Sequence, residues 1–410
     1  MKPRNMLIGL GTGAGLGLLL GWLAGGAPWL VWLTDNVAVL VGQVFLRLLF
    51  MLVVPLVFSA LVSGIGELEL RQLGRIGLRT LLYTVTVTSV AVLIGITLVN
   101  VLAPGAGAPA SLRASASASM AAPVVPATSS AKDVLVAMVP DNPVKAAAAG
   151  DMAGIIIFAL VFGVAMAVSS GPATPRLRET MQGLYEVMMT AIGGVMRVAP
   201  IGVGALLFAM TARLGTGPLV QLAAYVGVTV LGLSLHMVVV YSLLLSTIGR
   251  TSPWRFFRDV RPAMITAFST SSSAATLPTA LKVAEENLKL PTAVSRFVLT
   301  VGATLNQNGS ALFEGVTVLF LAQIYGIDLS VSQQVLVMGV TILSGVGAAG
   351  VPGSTLPVIA GLLLTLGIPI EGMALILGVD RFLDMCRTTV NVVGDLVAAV
   401  ILSPRGVTAG

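Results

Sequence analysis

The run from Met373 to Ile401 is apolar except for Asp380, Arg381, Asp384, Arg387, Asn391 and Asp395. An ionised side chain at the centre of a membrane-length helix costs roughly 2.5–3.5 kcal/mol on insertion scales, so five together exceed about 10 kcal/mol if they face hydrocarbon. They must face protein or water. Steps of three, four and four residues lead from Asp384 to Arg387, Asn391 and Asp395, which stacks these side chains on one helical face with Thr388 beside them. Arg387 offers a planar fork for a carboxylate, Asp384 accepts an ammonium, and Thr388 orients either group. Together they fit an amino acid carrying a second carboxylate. The competing reading is an internal salt-bridge network that only joins helices, but helix contacts in membranes usually rely on Ser, Thr or Asn rather than on five charges.

The apolar segment before it carries Thr304, Asn306, Gln307, Asn308, Ser310 and Glu314, a run of oxygen-bearing side chains too polar for a lipid face. Hard alkali cations take such oxygens together with carbonyls freed by an unwound turn, and Gly309 would permit the unwinding. The alternative is a glycine-kinked helix with hydrogen-bonded amides. Thr270, Ser271, Ser272 and Ser273 precede Thr276, Leu277 and Pro278, and a helix starting there points backbone amides and its positive dipole end at an anion. A serine run alone is more often a loop, and its place between two apolar arms favours the site. Gly345, Gly347, Gly350, Pro352 and Gly353 allow close backbone approach to a ligand and a hinge, hence a gate, against the plainer reading of a tight turn. His236 has no Cys or acidic neighbour in sequence and reads as structural.

These residues need elements that hold them at membrane depth, and the composition supplies them. Of 410 residues, 56% are hydrophobic and 10% charged, with a mean hydropathy of +0.99, which excludes a soluble globular domain. Apolar stretches predict spans near 5–26, 36–65, 76–103, 143–169, 180–212 and 217–248, each long enough for a hydrocarbon core of about 30 Å. The first follows Lys2 and Arg4 and reads as an uncleaved span rather than a signal peptide. The net charge of +6 does not point to nucleic acid. Its carriers lie in short connections: Lys2 and Arg4, Arg71, Arg75 and Arg79, Arg176 and Arg178, Arg250, Arg255, Arg258 and Arg261, and Arg405. The positive-inside rule makes that side cytoplasmic, with both termini on it. Cys386 is the only cysteine, so no internal disulfide or thiolate metal cluster is available. Residues 103–140, rich in Ala, Ser, Pro and Gly, read as an external loop.

After Arg261 two apolar segments are broken by small residues, Ser269 to Ala275 and Ser344 to Ser354, each followed by a span (Ala293 to Gln323 and Met373 to Ile401). Non-helical backbone at membrane depth persists only inside protein or beside a water-filled cavity, and paired interruptions mark a transporter binding site. The expected fold is therefore all-α and polytopic: about eight transmembrane helices plus two re-entrant helical hairpins, arranged as inverted repeats.

Four motifs in order resemble the dicarboxylate/amino acid:cation symporter family, the glutamate transporter family. Thr266 to Pro278, TAFSTSSSAATLP, resembles its serine-rich hairpin tip; Gly302 to Gly315, GATLNQNGSALFEG, its NMDGT span. Ser344 to Gly353, SGVGAAGVPG, is similar to its second hairpin, and Asp380 to Leu396, DRFLDMCRTTVNVVGDL, to its last span. Further similarity in Phe45 to Ile65 and Pro140 to Met166 extends the match over nearly the whole chain. The resemblance implies a homotrimer in the inner (plasma) membrane. Scaffold spans over 1–75 and 143–213 would hold still while a transport domain, 76–103 and 214–410, slides as an elevator; 104–142 forms the external loop. It implies that Arg387 holds the side-chain carboxylate and Asp384 the amino group. Thr388, Asn391, Ser272, Ser273 and Ser310 complete the substrate site, with Val351 and Gly353 of the second hairpin. One cation site uses Gly302, Asn306, Asn391 and Asp395; another uses Thr304 with the hairpin carbonyls at Gly345 and Ala348; Asn308 is counted among the cation-binding residues. No cofactor is implied beyond cotransported sodium, protons or both.

Three departures from the family pattern carry consequences. Asn308 stands where many members have Asp, and Gln307 where they have Met. Ser271 replaces the hairpin arginine of some archaeal members, with Arg381 placed to supply that charge. Glu314 occupies a position where some proton-cotransporting members carry Glu. Asp380, Arg381, Asp384, Arg387 and Asp395 sum to minus one, a bound aspartate or glutamate adds another, and a buried excess of two is costly, so cations should accompany the substrate. Losing an acid at Asn308 removes one reason for one cation. A C4-dicarboxylate or neutral amino acid is the alternative substrate. A serine hydrolase lacks a base near Ser271 to Ser273, and a passive channel fits poorly with closed hairpins, so no enzymatic role is expected.

Overall fold

The computed structural model describes residues 3–66, 74–108, 136, 139–345 and 355–403. All regular structure among the described residues is helical. Five stretches are long and apolar enough to cross a membrane: Pro28–Gly64, Ile76–Leu102, Thr174–Arg213, Leu219–Thr247 and Ile370–Leu402. The remaining expected spans are shorter or interrupted. α1 is Pro3–Ala24. The second span is α2 (Pro28–Leu33), a π turn at Thr34–Ala38, α3 (Val39–Phe50) and α4 (Val53–Gly66), so it begins eight residues before its expected start at 36. Pro28 sits at the first helical position, where its missing N–H costs nothing. α5 is Gly74–Leu102.

The fourth span is two helices rather than one, α6 (Pro143–Ala149) and α7 (Met152–Val168). Gly150 at φ 71 ends α6 in the left-handed region that favours glycine, and the Asp151 carboxylate accepts Gly154 N–H to start α7. α8 (Thr174–Leu214) runs 41 residues, about 60 Å at 1.5 Å per residue, and so starts ahead of the expected 180. α9 (Gly217–Leu235), a π turn at His236–Val240 and α10 (Tyr241–Thr247) form the sixth span. α11 (Pro253–Asp259) leads to a helical hairpin, α12 (Arg261–Thr270) and α13 (Ser273–Lys282). Its tip is Ser271, at φ 52, and Ser272, as the serine run indicated. The seventh span is α14 (Thr292–Leu305) and α15 (Asn308–Tyr325); α16 (Val331–Gly345), α17 (Leu356–Thr365) and α18 (Met373–Leu402) follow. Ala348, Val351 and Gly353, expected at the second hairpin's tip, lie outside the described residues.

Two packed groups emerge. α1 lies along α8, and α8 also packs on α3 and α4, which α7 covers. The α1–α8 contact is a stripe of small residues: a Cβ on Gly9, Gly13, Gly17 or Gly21 would strike Pro200, Gly204, Phe208 or Ala212 at 2.1–2.7 Å, backbone to backbone except for the Thr211 hydroxyl at Gly17. Such close approach is how helices associate where no hydrophobic effect operates between them. In the second group α5, α14, α15 and both arms of the first hairpin surround α18. Burial identifies the centre: 78% of the apolar window of the last span is covered, against 33–41% for the other four.

Candidate functional site

Arg387, 2% exposed, lies in the middle of α18. Its Nε donates to Asp384 Oδ1 at 3.0 Å, Nη2 lies 2.9 Å from the same oxygen, and Nη1 donates to Asp380 Oδ1 at 3.1 Å. The Phe313 ring of α15 covers its guanidinium at 4.2 Å from the centroid. Asp384 also meets Arg381 at 3.6 Å through Oδ2. The expected pairing of Arg387 with Asp384 is present, and the geometry adds Asp380, two turns earlier on the same face, as a second carboxylate on the fork. A guanidinium held between carboxylates and an aromatic face, away from water, has the geometry to take a planar anion in place of one of those carboxylates.

Around this centre the chain is unwound, three residues earlier than Gly309 suggested. The break falls at Asn306 (φ −109, ψ 69) and Gln307 (φ −100, ψ 52), while Gly309 is helical. Gly309 serves close approach instead: a Cβ there would lie 2.6 Å from Arg387 O and 3.0 Å from its Cα. Asn391 fastens the break to α18, accepting Gly309 N–H at 2.7 Å and donating to Gln307 Oε1 at 2.6 Å and Ser310 Oγ at 3.1 Å. Gln307, expected only as one of the run of oxygen-bearing side chains, also donates its backbone N–H to Gly345 O at 3.2 Å, tying the break to the end of α16.

Asp395 is buried without an ion pair among the described residues. Asn306 Nδ2 donates to its Oδ1 at 2.8 Å, while Asn306 Oδ1 has no partner among the described residues. Gly302 abuts the same carboxylate, since a Cβ would lie 2.4 Å from Oδ1. An uncompensated carboxylate beside an unused amide oxygen fits a small hard cation as cargo. Thr304 instead donates its hydroxyl to Val301 O at 3.0 Å, within its own helix. At Asn308 the amide is satisfied at both ends: Thr88 donates to Oδ1 at 2.6 Å, and Nδ2 donates to Tyr241 Oη at 3.0 Å, which in turn donates to Val390 O at 3.0 Å. Glu314, 1% exposed, accepts from Ser344 Oγ at 3.2 Å, and its other oxygen has no partner among the described residues.

At the first hairpin Ser272 caps α13, its Oγ accepting Ala275 N–H at 3.2 Å, whereas the buried hydroxyls of Ser271 and Ser273 have no partner among the described residues. Both arms pack on α18. Thr388 and Ser310 are buried with the rest. His236 is buried in its π turn, edge-on to Tyr241 at 4.8 Å between centroids. Thr88, Tyr241 and Phe313 escaped sequence reasoning because single hydroxyls and aromatics in apolar helices give no pattern, and Ser344 was read only as the start of the second interruption, not as a partner of Glu314.

Broken helices, membrane-length spans and a buried charged centre define a solute carrier. The model of the sodium:dicarboxylate symporter family matches residues 4–404. Three relatives illustrate the range. The proton/glutamate-aspartate symporter of Escherichia coli (strain K12) is 37% identical over 91% of this chain and 86% of its own length. The proton/sodium-glutamate symport protein of Bacillus subtilis (strain 168) is 32% identical over 98% and 93%. A C4-dicarboxylate transport protein of Laribacter hongkongensis is 34% identical over 88% and 82%. The chain belongs to the sodium:dicarboxylate symporter family and is a membrane transporter rather than an enzyme.

Proposed function

We propose that the protein imports aspartate or glutamate together with sodium, protons or both. The observation that carries this reading is the buried Arg387 fork between Asp380 and Asp384 over Phe313. The substrate side-chain carboxylate displaces one carboxylate from the guanidinium and the amino group takes up the oxygen of Asp384 released; Ser271 to Ser273 and Thr388 surround the rest. Sodium enters between Asp395, Asn306 and Gly302, and Thr304 with the carbonyls of Gly345 and Ala348 offers a second place. The lone oxygen of Glu314 takes a proton. Asn308, neutral and fully bonded, leaves no acid for a third cation, so fewer sodium ions move per cycle than in Asp-bearing members. The two packed groups support a scaffold (1–75, 143–213) against which 76–103 and 214–410 slide as an elevator in a homotrimer, with both hairpins re-entrant and both termini cytoplasmic. Because both oxygens of Asp384 face arginines, a C4-dicarboxylate is the second reading.

Uptake of radiolabelled aspartate into proteoliposomes tests this, with an inward sodium gradient, an inward proton gradient, or neither. We expect uptake that needs one gradient, vanishes in Arg387→Ala, and loses its proton dependence in Glu314→Gln. Competition by malate stronger than by glutamate would replace the first reading with the second, and gradient-independent flux would refute symport.

A further inference from the structure

The link between the sixth span and the first hairpin is not a loose loop. α11 and the first turn of α12 bury Phe256, Val260 and Ala263, all 0% exposed, at helical spacing against the body of the protein. Asn287 Nδ2 donates to Asp259 O at 2.7 Å, which clamps the end of α11 to the foot of the hairpin's second arm. The opposite face presents Trp254, 83% exposed, with Arg255, Arg258 and Arg261, all exposed.

The charges on this face differ from those nearby. Arg296 pairs with Glu285 at 3.2 Å and Lys282 with Glu286 at 3.9 Å. Arg255 and Arg261 have no acidic partner among the described residues, and Arg258 meets only the adjacent Asp259 at 3.1 Å. A rigid face carrying three arginines, one neighbouring acid and an exposed indole combines the two chemistries of the bilayer interface: guanidinium for phosphate, and an amphipathic ring for the headgroup level. We propose that this face binds anionic phospholipid headgroups of the cytoplasmic leaflet, in addition to the orienting effect of its positive charge. The leaflet assignment rests on the orientation given above. Each arginine at such a surface raises affinity for an anionic leaflet about fivefold. Since α11 is fastened to the hairpin, the leaflet's charge acts on the part of the protein that carries the substrate site.

The test uses the full chain in phosphatidylcholine vesicles containing either brominated phosphatidylglycerol or brominated phosphatidylcholine at equal mole fraction in both leaflets. Trp22, Trp29 and Trp32 are replaced by Phe so that Trp254 is the sole indole. We expect Trp254 quenching severalfold stronger by the brominated phosphatidylglycerol, with the preference abolished in R255Q/R258Q/R261Q and reduced in the single Arg255→Glu variant, which perturbs folding less. Equal quenching by the two lipids, no quenching by either, or a preference that survives the triple substitution would overturn the proposal. The readout needs neither transport nor a known orientation, so a failure of symport or of sidedness leaves it intact.

Discussion

Converting Asn308 to Asp tests the charge balance of the site directly. The carboxylate keeps the bond from Thr88 but loses the donor that faces Tyr241 at 3.0 Å. One tyrosyl proton then serves two acceptors, Val390 O, which keeps its bond within α18, and the new oxygen, which is left as a buried unpaired acceptor at about 1–3 kcal/mol if the proton stays on Val390 O. The new charge also approaches Asp395. Asn308 Nδ2 and Asn306 Nδ2 lie 3.0 and 3.1 Å from the same point over Gly394, and Asp395 Oδ1 lies 2.8 Å beyond Asn306. The two carboxylates are thus within about 9 Å, where like charges at an effective dielectric of about 20 repel by about 2 kcal/mol. Without sodium, Asn308→Asp should lose about 3–5 kcal/mol of stability. A sodium ion bound between the carboxylates, supplied at 100 times its dissociation constant, returns about 2.7 kcal/mol. Thermal unfolding of the purified protein in choline chloride and in sodium chloride reads both effects, and reversal potentials read the coupling. A variant as stable as the parent in choline, or one whose stability and sodium coupling do not respond to sodium, would refute the assignment of Asn308 as the neutral stand-in for a cation-binding acid.

Two packing substitutions separate the site from the scaffold. Gly309→Ala places a methyl 2.6 Å from Arg387 O, an overpacking of about 1–3 kcal/mol that displaces the backbone of the receptor. Aspartate uptake should fall roughly 10- to 100-fold, mainly through KM, and unchanged kinetics would show that the approach is not needed. Gly13→Leu drives α1 off α8, where a Cβ already lies 2.1 Å from Gly204 O, whereas a Cβ on Gly11 meets nothing within 4 Å. The first should lower the unfolding temperature by several degrees with KM preserved and Gly11→Leu should not; equal effects would deny the stripe its role.

Much of the fold was legible because apolar length is a one-dimensional signal. The charged face of α18 could be drawn from helical spacing, and Arg387 with Asp384 follows from it. Asp380 was counted among the charges but not as a partner, because Arg387 reaches back two turns only when its side chain lies along the helix. The break at Asn306 and Gln307 was placed at Gly309 because glycine signals both backbone freedom and close approach, and only the neighbouring Arg387 backbone distinguishes them. Tyr241, the first residue of α10 in another span, and Thr88, 220 residues from Asn308, are set by tertiary packing that local pattern does not encode.

The glycine stripe of α1 also dictates an order of events during synthesis. Thr211 of α8 bonds to Ala14 O across 197 residues of chain, so the partner of α1 does not exist until nearly half the protein has been made. At about 5–20 residues per second, α1 waits roughly 10–40 s in the bilayer with its exposed backbone groove unmatched. The nascent chain therefore inserts its first helix long before that helix is held. The scaffold closes only when α8 emerges, and truncation before Pro200 should leave α1 unpaired and open to proteolytic quality control.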